Sequence, residues 1–328
     1  MQILVADPIA EEGLEILRNY AQVDIKLKLK PEELKAIIGN YDALIVRSQT
    51  QVPAEIIEAG RGLKVIGRAG VGVDNIDVAA ATKKGIVVVN APTANTVSAA
   101  EHTIALMLAL SRNIPKANSQ LKSGRWQRKE LVGTELRNKT LGIIGLGKVG
   151  SEVAKRAQAF EMCVIAHDPF VSTNYARKLK VDLVPLNQLL EQSDFITLHV
   201  PLTATTKGLI GAEELAKVKP TARIINCARG GLVDEEALVK AIEDGKIAGA
   251  AFDVFSAEPV TDSSRFKSDK IVVTPHLGAS TIEAQANVAK DIAEQVLTVL
   301  RGEHPRYAVN TPYFGFISGK KNAHDFIP

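Results

Sequence analysis

Leu141–Gly150 reads LGIIGLGKVG, an apolar run that breaks into Gly145, Gly147 and Gly150, and Asp168 closes the next apolar run, MCVIAH. Strand, glycine turn, helix, strand, acid is the layout that a dinucleotide requires. Gly145 permits the tight turn, Gly147 lets the backbone approach a pyrophosphate, and Gly150 lets the helix pack on the sheet. The pyrophosphate would rest on the N–H groups of a helix start, where the macrodipole favours negative charge. Asp168 lies about 20 residues beyond the glycines, where a carboxylate accepts hydrogen bonds from a ribose and repels a 2′-phosphate. NAD is therefore expected rather than NADP.

Outward from this motif, the chain reads as two sets of βα repeats. QILVAD, VDIKLK, ALIVRS, LKVIGRAG and GIVVVN are short β-branched runs ahead of it, separated by helical segments such as EEGLEILRNY, PEELKAIIGNY and DVAAATKKG. LGIIG, MCVIAHD, DFITLHV, ARIINCA, AGAAFDVF and KIVVTPH make the second set. The expectation is an α/β protein with two doubly wound parallel sheets, Rossmann-like, the substrate domain flavodoxin-like and discontinuous. A long helix over about 281–300 is expected to return to the first domain. The substrate domain is then residues 1–96 with 281–328, and the NAD domain residues 97–280. SAAEHTIALMLALSRNIPKA is apolar on nearly every face and reads as one helix buried on several sides.

Composition agrees with an enzyme of two domains: 328 residues, 46% hydrophobic, 23% charged, formal net charge +3. The charges are interleaved, so neither a nucleic-acid nor a membrane surface is expected. Cys163 and Cys227 sit in strand-like runs without a CxxC or Cys/His cluster, so neither disulfide nor metal is expected. MQILVADP is already strand and turn, no run has the length of a membrane span, and a cytoplasmic location is the default.

Three chemically capable residues share one address. Arg229 follows ARIINCA, Glu258 lies beyond AGAAFDVF and His276 follows KIVVTP, each past the carboxyl end of a strand in the glycine-turn domain. Open α/β sheets bind ligands there. Such a set suits hydride transfer at a carbon bearing oxygen: histidine as acid/base, arginine to hold a carboxylate, glutamate to favour the charged imidazole. Each also has a bland reading, as a turn histidine, a solvated carboxylate and a surface cation. His102, within the apolar helix, reads as a core or interface residue, His199 as a buried histidine or one that approaches the cofactor, and His167 as packing; His304 and His324 read as tail or turn residues.

NCARGGLVDEEAL, AAFDVFSAEP, TPHLGAST and TLGIIGLGKVG resemble the D-isomer-specific 2-hydroxyacid dehydrogenases, over nearly the whole chain to about Asn310. The resemblance implies that Arg229, Glu258 and His276 form the catalytic triad. It implies cofactor contacts at Lys148 and Val149 in the glycine loop, Asp168, Val200, Pro201, Cys227, Ala228, Asp253 at the nicotinamide end, and Gly278. IVRSQT, GRAGVGVDNID, NAPTANTVSAAEHT and GRWQRKELVGTEL look most like members that oxidise a phosphorylated 2-hydroxy acid at the start of serine biosynthesis.

A phosphorylated substrate needs additional cations, and Arg47, Arg68, Arg128 and Lys129 are candidates, with Ser48 and Asn90 as neutral partners. Gly70 and Gly72 follow a strand but lack the third glycine and the closing acid. They read as a loop bringing backbone and Arg68 to a ligand, or as a plain turn. The alternatives are a glyoxylate or hydroxypyruvate reductase, another small 2-hydroxyacid dehydrogenase, or a dinucleotide-sensing binding protein of corepressor type. The apolar stretch 98–110 and the arm around Trp126 carry more hydrophobic surface than one small domain needs. A two-fold homodimer joined through the cofactor domains is expected. Longer members of the family continue into domains that bind serine. Here the chain ends in an aromatic tail with Tyr313, Phe314, Phe316 and Phe326, expected to pack on a domain or neighbour or to be a remnant.

Overall fold

The computed structural model describes residues 1–310. Tyr313, Phe314, Phe316, His324 and Phe326 lie outside the described residues. The chain divides into two compact units, Met1–Asn95 with the described residues from Thr281, and Thr96–Ser280.

The first unit is built on β1 (Gln2–Val5), β2 (Gln22–Ile25), β3 (Ala43–Val46), β4 (Val65–Arg68) and β5 (Val87–Asn90), all parallel, in the order β2-β1-β3-β4-β5. That order is the flavodoxin-like one. Its inner strands β1, β3 and β4 are apolar over most of their length because both faces are covered, whereas the edge strand β2, QVDI, is not buried. Ile3, Val5, Ala43, Ile45, Val87 and Val89 face one cluster, while Leu4, Leu44, Val46 and Val88 face another. The helices are α1 (Glu11–Arg18), α2 (Pro31–Ile37), α3 (Ala54–Ala59) and α4 (Val78–Lys83). The first cluster is completed by Leu14 and Leu17 of α1 and by Val288, Ile292 and Val296 from the end of the chain. Asn310 pins that end to β5: its Oδ1 accepts from Val88 N at 2.7 Å and its Nδ2 donates to Ile86 O at 2.9 Å.

The second unit holds α5 (Thr96–Ser111), α6 (Ile114–Lys122), β6 (Thr140–Ile144), α7 (Lys148–Ala159), β7 (Cys163–His167), α8 (Thr173–Lys178), β8 (Asp182–Leu183) and α9 (Leu186–Gln192). Then follow β9 (Phe195–Leu198), α10 (Ala212–Leu215), β10 (Arg223–Asn226), α11 (Glu235–Glu243), β11 (Gly249–Phe252) and β12 (Ile271–Val273). α12 (Ile282–Leu300) belongs to the first unit and packs on α1, β4 and β5. The sheet order, β12-β11-β10-β9-β6-β7-β8, reverses between β6 and β9. Such a reversal opens the crevice in which doubly wound sheets bind nucleotides.

Two local features differ from the sequence reading. The two-residue β8 has too few residues to show an alternating pattern, and it exists by pairing with β7. The expected single helix through NIPKA is two: α5 stops at Ser111, Asn113 takes φ 53°, and α6 restarts with Pro115 near its first position. A proline ring clashes with the carbonyl four residues earlier, here that of Ser111.

Candidate active site

The glycine turn leaves β6 at Gly145, whose φ of 94° and close neighbours exclude a side chain. A Cβ there would lie 2.6 Å from Val200 Cγ1 and 2.8 Å from His199 O. One at Gly150 would collide with Gly145 O. Gly147 differs: as the residue capping α7 it has no side-chain hydrogen bond to offer, and nothing lies within 4 Å of where its Cβ would be. The N–H groups of a 12-residue helix thus start beside open space, where a phosphate fits both their hydrogen-bonding need and the dipole. Lys148 is exposed and Val149 half-buried at this start.

Asp168, just past β7, accepts from Leu146 N at 2.8 Å and Phe170 N at 2.9 Å. A carboxylate has about four acceptor positions, so it fixes the turn and retains capacity for a ribose. The residues fit a dinucleotide.

Val200 and Pro201 follow β9, and Cys227 and Ala228 follow β10, at the same edge of the sheet. His199 packs its Nε2 3.0 Å from Thr197 Oγ1, and burial pushes its pKa down to about 3. Burial likewise pushes the Cys227 thiol up to about 12. His167 Nδ1 meets Val184 O at 3.2 Å.

Glu258 and His276 come together. Glu258 Oε1 accepts from Phe255 N at 2.9 Å, and Oε2 lies 2.7 Å from His276 Nδ1. Because a carboxylate only accepts, Nδ1 carries the proton and Nε2 is left to meet a reactant. Arg229 sits in a turn built by Asn226, which is 1% exposed. Asn226 Oδ1 accepts from Ala228 N at 3.0 Å and its Nδ2 donates to Arg229 O at 2.8 Å. The Arg229 guanidinium donates to Ala228 O at 2.6 Å. Gly230 packs so closely on Phe255 and Ser256 that a Cβ would collide with their backbone. Ser256 N is in turn held by the buried Glu235, 2.7 Å away. The arginine turn and the glutamate loop are therefore built against each other.

Asp253 is fully buried at the end of β11. Its Oδ1 accepts from Thr274 Oγ1 at 2.6 Å and Leu277 N at 2.7 Å, and its Oδ2 from Gly278 N at 2.8 Å. His102 Nε2 of α5 lies 3.1 Å from both Asp253 Oδ1 and Thr274 Oγ1. Burial alone would raise the Asp253 pKa. The hydrogen bonds from His102, Thr274 and the Leu277 N–H overcome this and hold it below the ordinary carboxylate value.

Sequence reasoning missed Asn226, Glu235, Thr274 and the position of His102. Asn226, a polar residue at the end of an apolar run, was the one legible signal.

In the first unit, Arg68 and Asn90 are paired in register at the ends of β4 and β5, and Arg68 is paired with Val46, the residue before Arg47. The three therefore line one sheet edge, with Ser48 exposed beside Arg47. Two residues that sequence reasoning did not single out shape this edge. Asp7, 2% exposed, accepts from Arg47 N at 2.6 Å and Thr50 Oγ1 at 2.7 Å. Asn75 Nδ2 donates to Arg47 O at 2.7 Å and Thr50 O at 2.6 Å. Asn90 Nδ2 donates to Val71 O at 2.6 Å, which ties down the Gly70–Gly72 loop. Arg128 belongs to the other unit, exposed on a 3-10 turn, Arg128–Leu131.

Residues 104–278 match the family model described as D-isomer specific 2-hydroxyacid dehydrogenase, NAD binding domain. The chain is 55% identical over 311 residues to D-3-phosphoglycerate dehydrogenase of Synechocystis sp., covering 95% of this chain and 56% of that protein. It is 53% identical over 314 residues to the Archaeoglobus fulgidus protein of the same name, covering 95% and 60%. The chain thus spans less than two thirds of the length of these curated relatives. Among solved structures it resembles the TT0316 protein from Thermus thermophilus, with TM-score 0.88 and 34% identity over 94% of this chain and 100% of that one. A glyoxylate reductase from Paecilomyes thermophila gives TM-score 0.86 and 32% identity, covering 94% and 98%.

Proposed function

The chain belongs to the D-isomer specific 2-hydroxyacid dehydrogenase family, and on that premise we propose that it oxidises D-3-phosphoglycerate to 3-phosphohydroxypyruvate, the opening step of serine biosynthesis. The observation that carries this reading is the His276–Glu258 pair beside the Arg229 turn, on the sheet that holds the glycine turn. The curated relatives, named for this activity, supply the substrate.

Bound NAD supplies the hydride acceptor, in the cradle formed by Gly145, Gly147, Lys148, Val149, Gly150 and Asp168. Val200, Pro201, Cys227, Ala228, Asp253 and Gly278 are the further proposed contacts. His276 Nε2 takes the proton of the substrate hydroxyl during oxidation and returns it during reduction. Glu258 accepts the hydrogen bond from Nδ1–H throughout, which orients the ring and stabilises the imidazolium. Arg229 holds the substrate carboxylate and polarises the oxygen that becomes a carbonyl. Arg47, Ser48, Arg68 and Asn90, with Arg128 from the arm, are the proposed phosphate ligands.

NADH production with 3-phosphoglycerate, glycerate and lactate side by side tests the reading. A preference for 3-phosphoglycerate is expected. A preference for an unphosphorylated acid would favour the reductase reading that the glyoxylate reductase likeness supports, and binding of NADH without turnover would favour a corepressor-type role.

A homodimer is part of the proposal. Ile114, Leu121, Trp126 and Val132, all between α5 and β6, are 52%, 59%, 76% and 82% exposed, a cost in water that a partner copy would remove. A dimer mass in sedimentation at micromolar concentration is expected, and a monomer would contradict it. A cytoplasmic location belongs to the same reading, supported by the free thiols of Cys163 and Cys227. Among the described residues no helix is long and apolar enough to cross a membrane.

A further inference from the structure

We propose that His102 of α5 is a positioning residue for His276, acting through Asp253 and Thr274. The inference rests on the reading of His276 as the acid/base.

Hydrogen-bond valence settles which nitrogen is protonated. The single hydroxyl proton of Thr274 is given to Asp253 Oδ1, 2.6 Å away. Asp253 is ionised and only accepts. His102 Nε2, 3.1 Å from both oxygens, must therefore be the donor to each. The ring is thus fixed as a clamp across two residues of different strands' ends, whether or not Nδ1 carries a second proton.

What the clamp holds is the loop that carries His276. Leu277 and Gly278 aim successive N–H groups at the Asp253 carboxylate, at 2.7 and 2.8 Å. His276 N donates to Asp253 O at 2.8 Å. Between these anchors His276 adopts φ 57°, the left-handed region that a residue with a Cβ disfavours. It persists where the surroundings over-determine it, and the surroundings here are the Asp253 carboxylate and its donors. His102 supplies one of those donors from outside the loop. Its side chain is 19% exposed. Of the other residues that α5 buries nearby, Ala99, Ala100, Ile104 and Met107 are apolar, Thr103 donates to Ala99 O, and Ser98 is also buried. A polar ring amid such a face, aimed at a buried carboxylate, orders that carboxylate.

The test compares His102→Leu, which fills the space without a donor, with His102→Gln, whose amide N–H can replace Nε2. His102→Leu should lower kcat by about 10- to 100-fold, as misplacement of a reacting group does, with a smaller rise in the NADH Kd read by fluorescence, because the glycine turn is untouched and only Asp253 and Gly278 among the proposed cofactor contacts lie in the loosened network. His102→Gln should recover most of the loss. In an Asp253→Asn background, His102→Leu should add less than about twofold, as expected of residues in one network.

A readout without substrate is native-state hydrogen exchange. The Leu277 and Gly278 amides should exchange faster in His102→Leu, with those of β6 and α7 unchanged. Leu and Gln variants that behave alike, or exchange that rises throughout α5 rather than in the loop, would overturn the proposal in favour of packing. Should the wild-type protein oxidise no 2-hydroxy acid, the functional reading fails, and the exchange pattern still decides whether His102 holds the loop.

Discussion

His276 Nδ1 and Glu258 Oε2 are 2.7 Å apart although 18 positions separate them, and the same glutamate accepts Phe255 N–H through its other oxygen. Both carboxylate oxygens are thus engaged, and the imidazole is held by one nitrogen with the other left for chemistry. His276→Ala should reduce kcat by about 10² to 10⁴, with NADH affinity little changed, because a proton acceptor is removed and the cofactor cradle is not. Glu258→Gln retains an oxygen for Nδ1–H but loses the charge, so its fall should be smaller, about 10- to 100-fold. Steady-state kinetics with fluorescence titration checks both, and wild-type turnover in His276→Ala would end the mechanism.

Asp168 anchors the turn after β6 and is the proposed reader of the cofactor ribose, two roles that substitution can separate. Asp168→Asn retains an acceptor for Leu146 N–H and removes the repulsion of a 2′-phosphate, so the NAD preference over NADP should narrow while the turn survives. Asp168→Ala should in addition weaken NAD itself, because the turn loses its anchor. The kcat/KM ratio for the two cofactors is the measurement. A ratio that does not move in either variant would mean that the ribose is read elsewhere.

Arg47→Ala and Arg68→Ala should each remove a charge-assisted contact to the substrate phosphate, worth roughly 1.5 to 3 kcal/mol. The kcat/KM ratio of 3-phosphoglycerate to glycerate should therefore fall by about 10- to 100-fold, and the phosphorylated reaction should be the more salt-sensitive. Equal losses on both substrates would assign these arginines to the carboxylate or to the fold.

His199 links stability to pH. In the folded chain its pKa falls from 6.5 to about 3 through burial. Between those values the unfolded chain binds the proton and the folded one does not, so stability is full above the upper value and declines as pH drops. The slope is at most about 1.4 kcal/mol per pH unit. Chemical denaturation at pH 7 and pH 5 should show a larger loss for the wild type than for His199→Asn. Parallel losses would mean that the ring charges without penalty.

The parts of the site that were legible are local in the chain. The glycine turn announces itself because Gly145 and Gly150 must lack a Cβ within a few residues of a strand, and the ends of the apolar runs before Arg229 and His276 mark a sheet edge by themselves. The break between α5 and α6 is masked in the sequence by its apolar context, though Pro115 carries the signal. Asp7, Asn75, Glu235 and His102 gave little sign, because each acts on a backbone group or carboxylate far away in sequence.

The sequence by itself determined that this chain forms two sets of βα repeats, where the glycine turn lies, and which residues stand past the strand ends. Hydrophobic period and glycine placement are properties of neighbouring residues, so they survive in one dimension. Only the tertiary structure decided the strand order with its reversal between β6 and β9, the meeting of Glu258 with His276, and the use of buried Asp253 as the anchor of the histidine loop. Those depend on which strands lie side by side and on hydrogen bonds between distant segments. Their physical cause is that a buried carboxylate must find donors, and the folded chain brings those donors from α5, from the end of β12 and from the loop beyond it.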